Sequence, residues 1–409
     1  MTAKRSFLFL QGVCSPFFPR LADRLMGDGH QVYRINFTAG DLAYWGARPA
    51  CSFKGTPDRL PDFLAPIFNS RSISDLVLFG DRRPVHIPAV ELALRCGIRV
   101  HVFEEGYFRP HWVTLERNGV NSHSLLPRDP AWYRSVGGRL AEPGDGAPFS
   151  SPFRLRAGHD ILYHLAGALN PLLFPGYRTH APVSAPLEYA AYGRRFSLLP
   201  GYEKCDRQSI AGLLAQTEPF YLLPLQLNSD AQIRDHSPFE DMTGVMEYVM
   251  ESFASHAPTP ARLVIKNHPL DMGLVDYPVV IARLERRFGL TGRVIYLESG
   301  DLEALLRRAA GTVTVNSTVG GLALGMNCPT VALSDPIYNL SGLTWQGDLD
   351  SFWEEKGPPD RELFRCFRAT VIHATQINGG LYSRPGIALA VQNAVGPLTA
   401  ERSPLEELL

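Results

Sequence analysis

Glu104 and Glu105 stand where an apolar run ends, in the string VFEEGYFRP from Val102 to Pro110. A buried parallel strand that delivers two acids to its carboxyl end places them where open α/β sheets bind ligands. Burying adjacent carboxylates costs several kcal/mol unless they have partners, so a purely architectural reason for the pair is hard to supply. One solvated loop acid beside one helix-capping acid is the plainer alternative. Five other loop strings weigh against it, each just after an expected strand. Gln11 and Gly12 begin QGVCSPFF, a glycine turn into a helix that suits an anion or a sugar hydroxyl. GDRRPVH carries Arg82 and Arg83, which can grip a carboxylate or phosphate in two-pronged fashion, and His86 one turn into the next helix.

The remaining three strings lie in the second half. LPLQLNSD sets Gln226 and Asp230 at a strand end with three residues between them. A carboxylate there can act as nucleophile, base or brace for a cationic transition state, or simply cap a turn. KNHP, residues Lys266, Asn267, His268 and Pro269, closes a strand with polar donors. The proline holds His268 extended, and its imidazole can donate to a phosphate. VNSTVGGLAL runs through Asn316, Ser317 and Thr318 into a glycine-rich helix start, which suits a nucleotide phosphate or serves only as a cap. It is neither a P-loop nor a dinucleotide fingerprint, so neither ATP hydrolysis nor dinucleotide binding is supported.

These strings need two sets of alternating strands and helices to position them. In the first, strands are expected at 6–10, 31–37, 76–79 and 98–103, with Phe17, Phe18, Leu21 and Leu25 on one helix face and a short helix over 89–94. In the second, strands are expected at 220–225, 262–266, 293–297, 312–315 and 330–333, with a helix over 301–310. Alternation of this kind implies parallel sheets with right-handed crossovers. The expected architecture is α/β: a first Rossmann-like domain over 1–215, a second over 216–375 and a helical tail over 376–409. Between about 150 and 215, Arg154, Arg156, Arg178, Arg194 and Arg195 alternate with Leu162, Leu165, Leu172, Leu173, Phe174 and Tyr177. That stretch reads as a helical insertion, either interdomain or facing a membrane.

Bulk composition narrows the field. The 409 residues suffice for two cores, and 45% hydrophobic with 20% charged residues describes an ordinary globular chain. A net charge of −1 offers no global basic field for nucleic acid. Six scattered cysteines lack any metal-ligand spacing and fit reduced thiols. The opening apolar run is only four residues and reads as a first strand rather than a signal peptide. No stretch approaches the roughly 20 apolar residues of a membrane span.

Taken together, GDRRPVH, FEEGYFRPHWVTLERNGVN, LPLQLNSD, KNHP and VNSTVGGLAL resemble the KpsS/KpsC family of bacterial capsule synthesis proteins over about residues 5–335. The single-module length is similar to the KpsS-type member. The resemblance implies a GT-B fold, two Rossmann-like domains facing a central cleft. It also implies a retaining β-Kdo transferase that moves Kdo from CMP-Kdo to a phosphatidylglycerol-type lipid and starts the capsule linker. No metal or other cofactor is implied. The family's Gln-x-x-x-Asp and His-Pro signatures fall on Gln226/Asp230 and His268/Pro269, and its acidic motif on Glu104 and Glu105. Under that implication Asp230 is the expected nucleophile and one of the two glutamates the base. His268, Ser317 and Thr318 hold the CMP phosphate, and Arg82, Arg83 or Arg109 pairs with the Kdo carboxylate. A cytoplasmic protein peripheral to the inner membrane follows, with other capsule assembly proteins as further partners. The competing readings are a GT-B transferase for another nucleotide sugar and a non-catalytic capsule assembly or export component.

Overall fold

The computed structural model describes residues 4–178, 185–228, 233 and 237–409. In chain order its strands are β1 (Ser6–Phe9), β2 (Gln31–Asn36), β3 (Cys51–Ser52), β4 (Asp75–Phe79), β5 (Arg99–Glu105) and β6 (Trp112–Arg117), then β7 (Phe220–Pro224), β8 (Arg262–Lys266), β9 (Val294–Leu297), β10 (Gly311–Thr314) and β11 (Thr330–Ala332), with β12 (Gln376–Asn378) last. They form a seven-stranded sheet in the order β12-β6-β5-β4-β1-β2-β3 and a five-stranded sheet in the order β11-β10-β7-β8-β9. The fold class is the expected one, α/β with two Rossmann-like units.

Apolar runs buried on both faces mark the central strands of each sheet, which pair in parallel; β6 and β12 add antiparallel pairings at one edge of the first sheet. In the first sheet Phe7, Phe9, Val77, Phe79 and Phe103 point to one side, where they pack on Phe17, Phe18 and Leu21. Leu8, Leu10, Leu76, Leu78, Val100 and Val102 point to the other, onto Leu60 and Leu64. Period-two alternation therefore continues past Phe103 to set Glu104 and Glu105 on opposite faces of β5. In the second sheet Tyr221, Leu223, Leu263, Ile265 and Val313 pack on the Met242–His256 helix. Phe220, Leu222 and Val264 pack on Ile210 and Leu213 of the Ala185–Ala215 helix.

The chain divides into a first unit of residues 1–127, 139–180 and 368–409 and a second of residues 128–138 and 181–367. Two differences from the sequence reading follow. The stretch read as a tail from 376 enters the first sheet: β12 pairs antiparallel with β6, Ile377 opposite Val113. Ile387, Ala390, Ala394 and Leu398 of the Arg384–Thr399 helix complete that unit's core. The stretch read as one insertion over 150–215 is shared out. The Phe153–Gly167 helix belongs to the first unit, and the Ala185–Ala215 helix to the second.

Candidate active site

In each unit three adjacent parallel strands deliver the polar strings to one sheet edge. In the first unit these are β5, β4 and β1. Gly80, just past β4, has φ +69°, a conformation that glycine adopts without strain. Its N–H donates to the Phe103 carbonyl at 2.9 Å. A Cβ at this position would lie only 3.2 Å from Glu104 Oε2, so glycine is what lets the carboxylate lie against the β4 turn. Glu104 Oε1 accepts the Glu105 N–H at 2.9 Å.

Glu105 meets different company on its own face. Its Oε1 accepts the Tyr382 hydroxyl at 3.2 Å and pairs with Arg156 Nη1 at 3.3 Å. The Arg156 guanidinium also sits 5.0 Å over the Tyr382 ring. Burial, then the charge of Glu105, pushes the Tyr382 phenol well above its ordinary pKa, so it remains a donor.

The β1 turn is tied down from below. Gln11 is 1% exposed and donates to the hydroxyls of Tyr163 at 3.0 Å and Tyr177 at 3.4 Å, while its Oε1 is buried without a partner. Arg83 Nη1 donates to the Gly12 carbonyl at 2.9 Å. Arg82 carries a buried Nε with no partner. His86 is fully buried and donates from Nδ1 to the Gly80 carbonyl, which places it under the turn rather than at its surface. Arg109 lies exposed beyond β5.

Beneath Gln11 runs a buried network with no counterpart in the sequence reading. Arg34 and Asp41 form an ion pair at 2.9 Å with side chains 4% and 2% exposed. Arg34 also donates to the Leu10 carbonyl and to Asn36 Oδ1. Asp41 Oδ2 accepts the N–H groups of Phe37 and Thr38, and Tyr163 bridges Thr38 and Asp41. Burial, followed by the nearby Asp160, raises the Cys14 thiol to about 12, so it stays protonated.

In the second unit the adjacent strands are β10, β7 and β8. Gln226 and Asn316 clasp across the β7 and β10 ends: Nε2 donates to Asn316 Oδ1 at 2.9 Å, and the Asn316 N–H returns to Gln226 Oε1 at 3.3 Å. Ser317 caps the Thr318–Gly325 helix, its Oγ accepting the Val319 N–H at 3.2 Å. The Gly320 N–H is taken by the Ser317 carbonyl, which also accepts the Tyr338 hydroxyl at 2.6 Å. With those N–H groups engaged, an anion at this helix start would meet hydroxyl protons of Ser317 and Thr318 and the positive end of the helix dipole.

After β8 the polar string splits into buried support and an accessible tip. Lys266 is 5% exposed, its ammonium on the Asn267 carbonyl at 3.4 Å, and burial lowers its pKa against the pull of Asp206. Asn267, also buried, accepts the His268 N–H at 2.8 Å and donates to Glu298 Oε2 at 2.9 Å. Pro269 continues the turn, and the Leu270 N–H donates to His268 Nδ1 at 3.1 Å. Ser229 and Asp230 lie outside the described residues. Among the described residues no group of three or more His, Cys, Asp or Glu is arranged to hold a metal ion.

One assignment is corrected. Arg195, in the stretch read as either interdomain or membrane-facing, is buried in the second unit on the carbonyls of the His268 turn, which excludes the membrane-facing alternative for this residue. Tyr382 and Glu298 went unread because their partners lie far away in sequence, 277 residues in the case of Tyr382 and Glu105, and Arg156 was read without its Glu105 partner for the same reason. Arg34 and Asp41 are only seven residues apart but form no recognisable motif.

Comparison with known proteins bears on the same strings. Residues 74–382 match the family model described as Capsule polysaccharide biosynthesis protein. The chain is 35% identical over 379 residues to the Capsule polysaccharide export protein KpsS of Escherichia coli, spanning 92% of this chain and 97% of that protein. It is also 35% identical over 390 residues to the Capsule polysaccharide modification protein LipB of Neisseria meningitidis serogroup B, spanning 94% and 93%. Among solved structures, the Thermosulfurimonas dismutans KpsC, beta Kdo 2,7 transferase, aligns over 96% of this chain and 99% of that one, at 14% identity and a TM-score of 0.45.

Proposed function

The chain belongs to the capsule polysaccharide biosynthesis family, and from that premise we propose that it is a retaining β-Kdo transferase using CMP-Kdo and a phosphatidylglycerol-type acceptor. The observation that carries this reading is the placement of the motif residues. Acids cluster at the carboxyl edge of the first sheet, and hydroxyls with an imidazole at that of the second. The second set suits a leaving phosphate, and the first suits an acceptor hydroxyl.

In the proposed reaction Asp230 attacks the anomeric carbon of Kdo as its bond to the CMP phosphate oxygen breaks. A glycosyl-enzyme ester forms and CMP leaves. Charge building on the departing phosphate is met by His268 and by the hydroxyls of Ser317 and Thr318. The acceptor hydroxyl then displaces Asp230, giving its proton to Glu104 or Glu105, and the second inversion restores the anomeric configuration. Arg82, Arg83 or Arg109 pairs with the sugar carboxylate. Gln11, Gly12, His86, Gln226, Lys266, Asn267, Pro269 and Asn316 shape the turns that hold these groups.

A lipid acceptor calls for contact with a membrane surface, and the Phe153–Gly167 helix supports it. Leu155, Leu162, Leu165, Leu169 and Leu172 are exposed along and just beyond it, Leu172 at 80%, with Arg154 and Arg178 exposed nearby. No helix among the described residues is long and apolar enough to cross a membrane. The proposed contact is peripheral, at the cytoplasmic face of the inner membrane.

A donor panel tests the reading. With a lysophosphatidylglycerol acceptor, CMP-Kdo is consumed with release of CMP, and UDP-hexoses are not. Transfer from a UDP-sugar alone overturns the donor assignment. Tight binding to capsule proteins with no sugar transfer from any donor favours an assembly or export role instead.

A further inference from the structure

The Ala185–Ala215 helix turns Arg195 into the interior of the second unit, where its side chain is 4% exposed. Its Nη1 donates to the carbonyls of Pro269 at 2.8 Å and Asp271 at 2.7 Å. Nη2 donates to the His268 carbonyl at 3.2 Å and to Glu298 Oε2 at 3.1 Å. The same Glu298 oxygen holds Asn267 Nδ2, and Asn267 Oδ1 holds the His268 N–H. The turn is thus gripped on both sides of His268, and one guanidinium makes most of the contacts.

The imidazole reports what this grip achieves. A backbone N–H can only donate, so the bond from Leu270 N–H makes His268 Nδ1 an acceptor. The ring proton of the neutral imidazole must then sit on Nε2. A phosphate oxygen is an acceptor, and this is the tautomer that can donate to it.

We propose that Arg195 is the positioning residue for His268: by clamping the carbonyls of residues 268, 269 and 271 it fixes the turn in which His268 presents Nε2–H to an anionic oxygen. This rests on the reading of His268 as a phosphate donor. Arg195 acts from beneath and touches no ligand. A planar fork with several donors can hold three carbonyls and a carboxylate at once, and an ammonium cannot reproduce that geometry. Lysine at 195 therefore preserves the buried charge and loses the clamp.

The test compares wild type, Arg195→Lys and His268→Ala. The probe is CMP, with affinity read by calorimetry and the His268 tautomer by the nitrogen chemical shifts of its ring. Arg195→Lys is expected to shift the ring nitrogens toward mixed tautomers and to weaken CMP binding about tenfold, the scale of a lost charge-assisted hydrogen bond. Unchanged ring nitrogens and CMP affinity in a folded Arg195→Lys protein overturn the proposal. Wild-type CMP affinity in His268→Ala overturns the phosphate reading beneath it. Weakened binding in His268→Ala with an unchanged ring pattern in Arg195→Lys overturns the clamp alone. If Arg195→Lys does not fold, Glu298→Met removes the carboxylate acceptor of Arg195 and Asn267 and is expected to shift the same ring nitrogens; an unshifted pattern again overturns the proposal.

Discussion

Glu104 and Glu105 are adjacent in the chain and separated by a sheet. Glu104 lies against Gly80 on one face, and Glu105 is met by Arg156 and Tyr382 on the other. A charged partner and a phenol converging on one oxygen orient a carboxylate, so removing either loosens Glu105. Tyr382→Phe and Arg156→Met are each expected to lower the transfer rate by about 10- to 100-fold, the worth of a charge-assisted hydrogen bond, with the fold intact. Initial-rate kinetics with melting curves check this, and wild-type rates in both variants would contradict it. For Asp230→Asn the expected loss is at least about 10³-fold, as for a removed nucleophile. Near-native transfer would end its assignment as nucleophile. The pair of acids was legible in the sequence because an apolar run ends on them. Their separation onto two faces needs only the strand's alternation. Their partners were not legible, because Arg156 comes from the Phe153–Gly167 helix and Tyr382 from just before the Arg384–Thr399 helix, and neither carries a local signal.

At the scale of elements, the central parallel strands were readable because burial on both faces demands continuous apolar runs. β6 and β12 were not. Thr114, Glu116 and Arg117 interrupt the one, and the other is three residues long with Gln376 and Asn378 at its ends. Their pairing depends on partners elsewhere in the chain rather than on their own pattern. The Thr318–Gly325 helix start is held under Tyr338, and Gly320 leaves no room there for a Cβ. Ser317→Ala removes the cap and is expected to cost about 1 kcal/mol of stability, together with weaker CMP binding. Denaturant melts and calorimetry separate the two effects, and a loss of stability with unchanged CMP affinity would leave Ser317 a cap alone. For the Phe153–Gly167 helix and the residues just beyond it, Leu165→Glu with Leu172→Glu is expected to abolish sedimentation with phosphatidylglycerol liposomes. The wild type should bind less as salt rises. Equal binding to neutral liposomes would remove the electrostatic part of the idea.

Across the whole molecule, the chain assembles its first unit from both ends, which no reading of consecutive segments reveals. The first sheet also carries a pH sensitivity remote from the proposed chemistry. Burial pushes the His101 imidazole below its ordinary pKa, with Asp75 opposing. Burial alone would raise Asp75, but hydrogen bonds from His101 and Arg99 outweigh it and hold the carboxyl low. Both folded pKa values are depressed. Each contribution is therefore complete above the unfolded pKa, about 6.5 for His and 3.9 for Asp, and is lost as pH falls. Between pH 7.5 and 5.5 the protein is expected to lose up to about 1.4 kcal/mol, a fall in Tm of a few degrees, and His101→Asn should flatten that slope. A Tm that stays level in the wild type would contradict the burial argument.

The central claim is the transfer itself, and mass spectrometry of the lipid tests it most directly. Purified protein is incubated with freshly generated CMP-Kdo and a soluble lysophosphatidylglycerol. The account predicts the lipid's mass increased by one Kdo residue, with none in Asp230→Asn. An unmodified lipid with the donor intact at the end would contradict it.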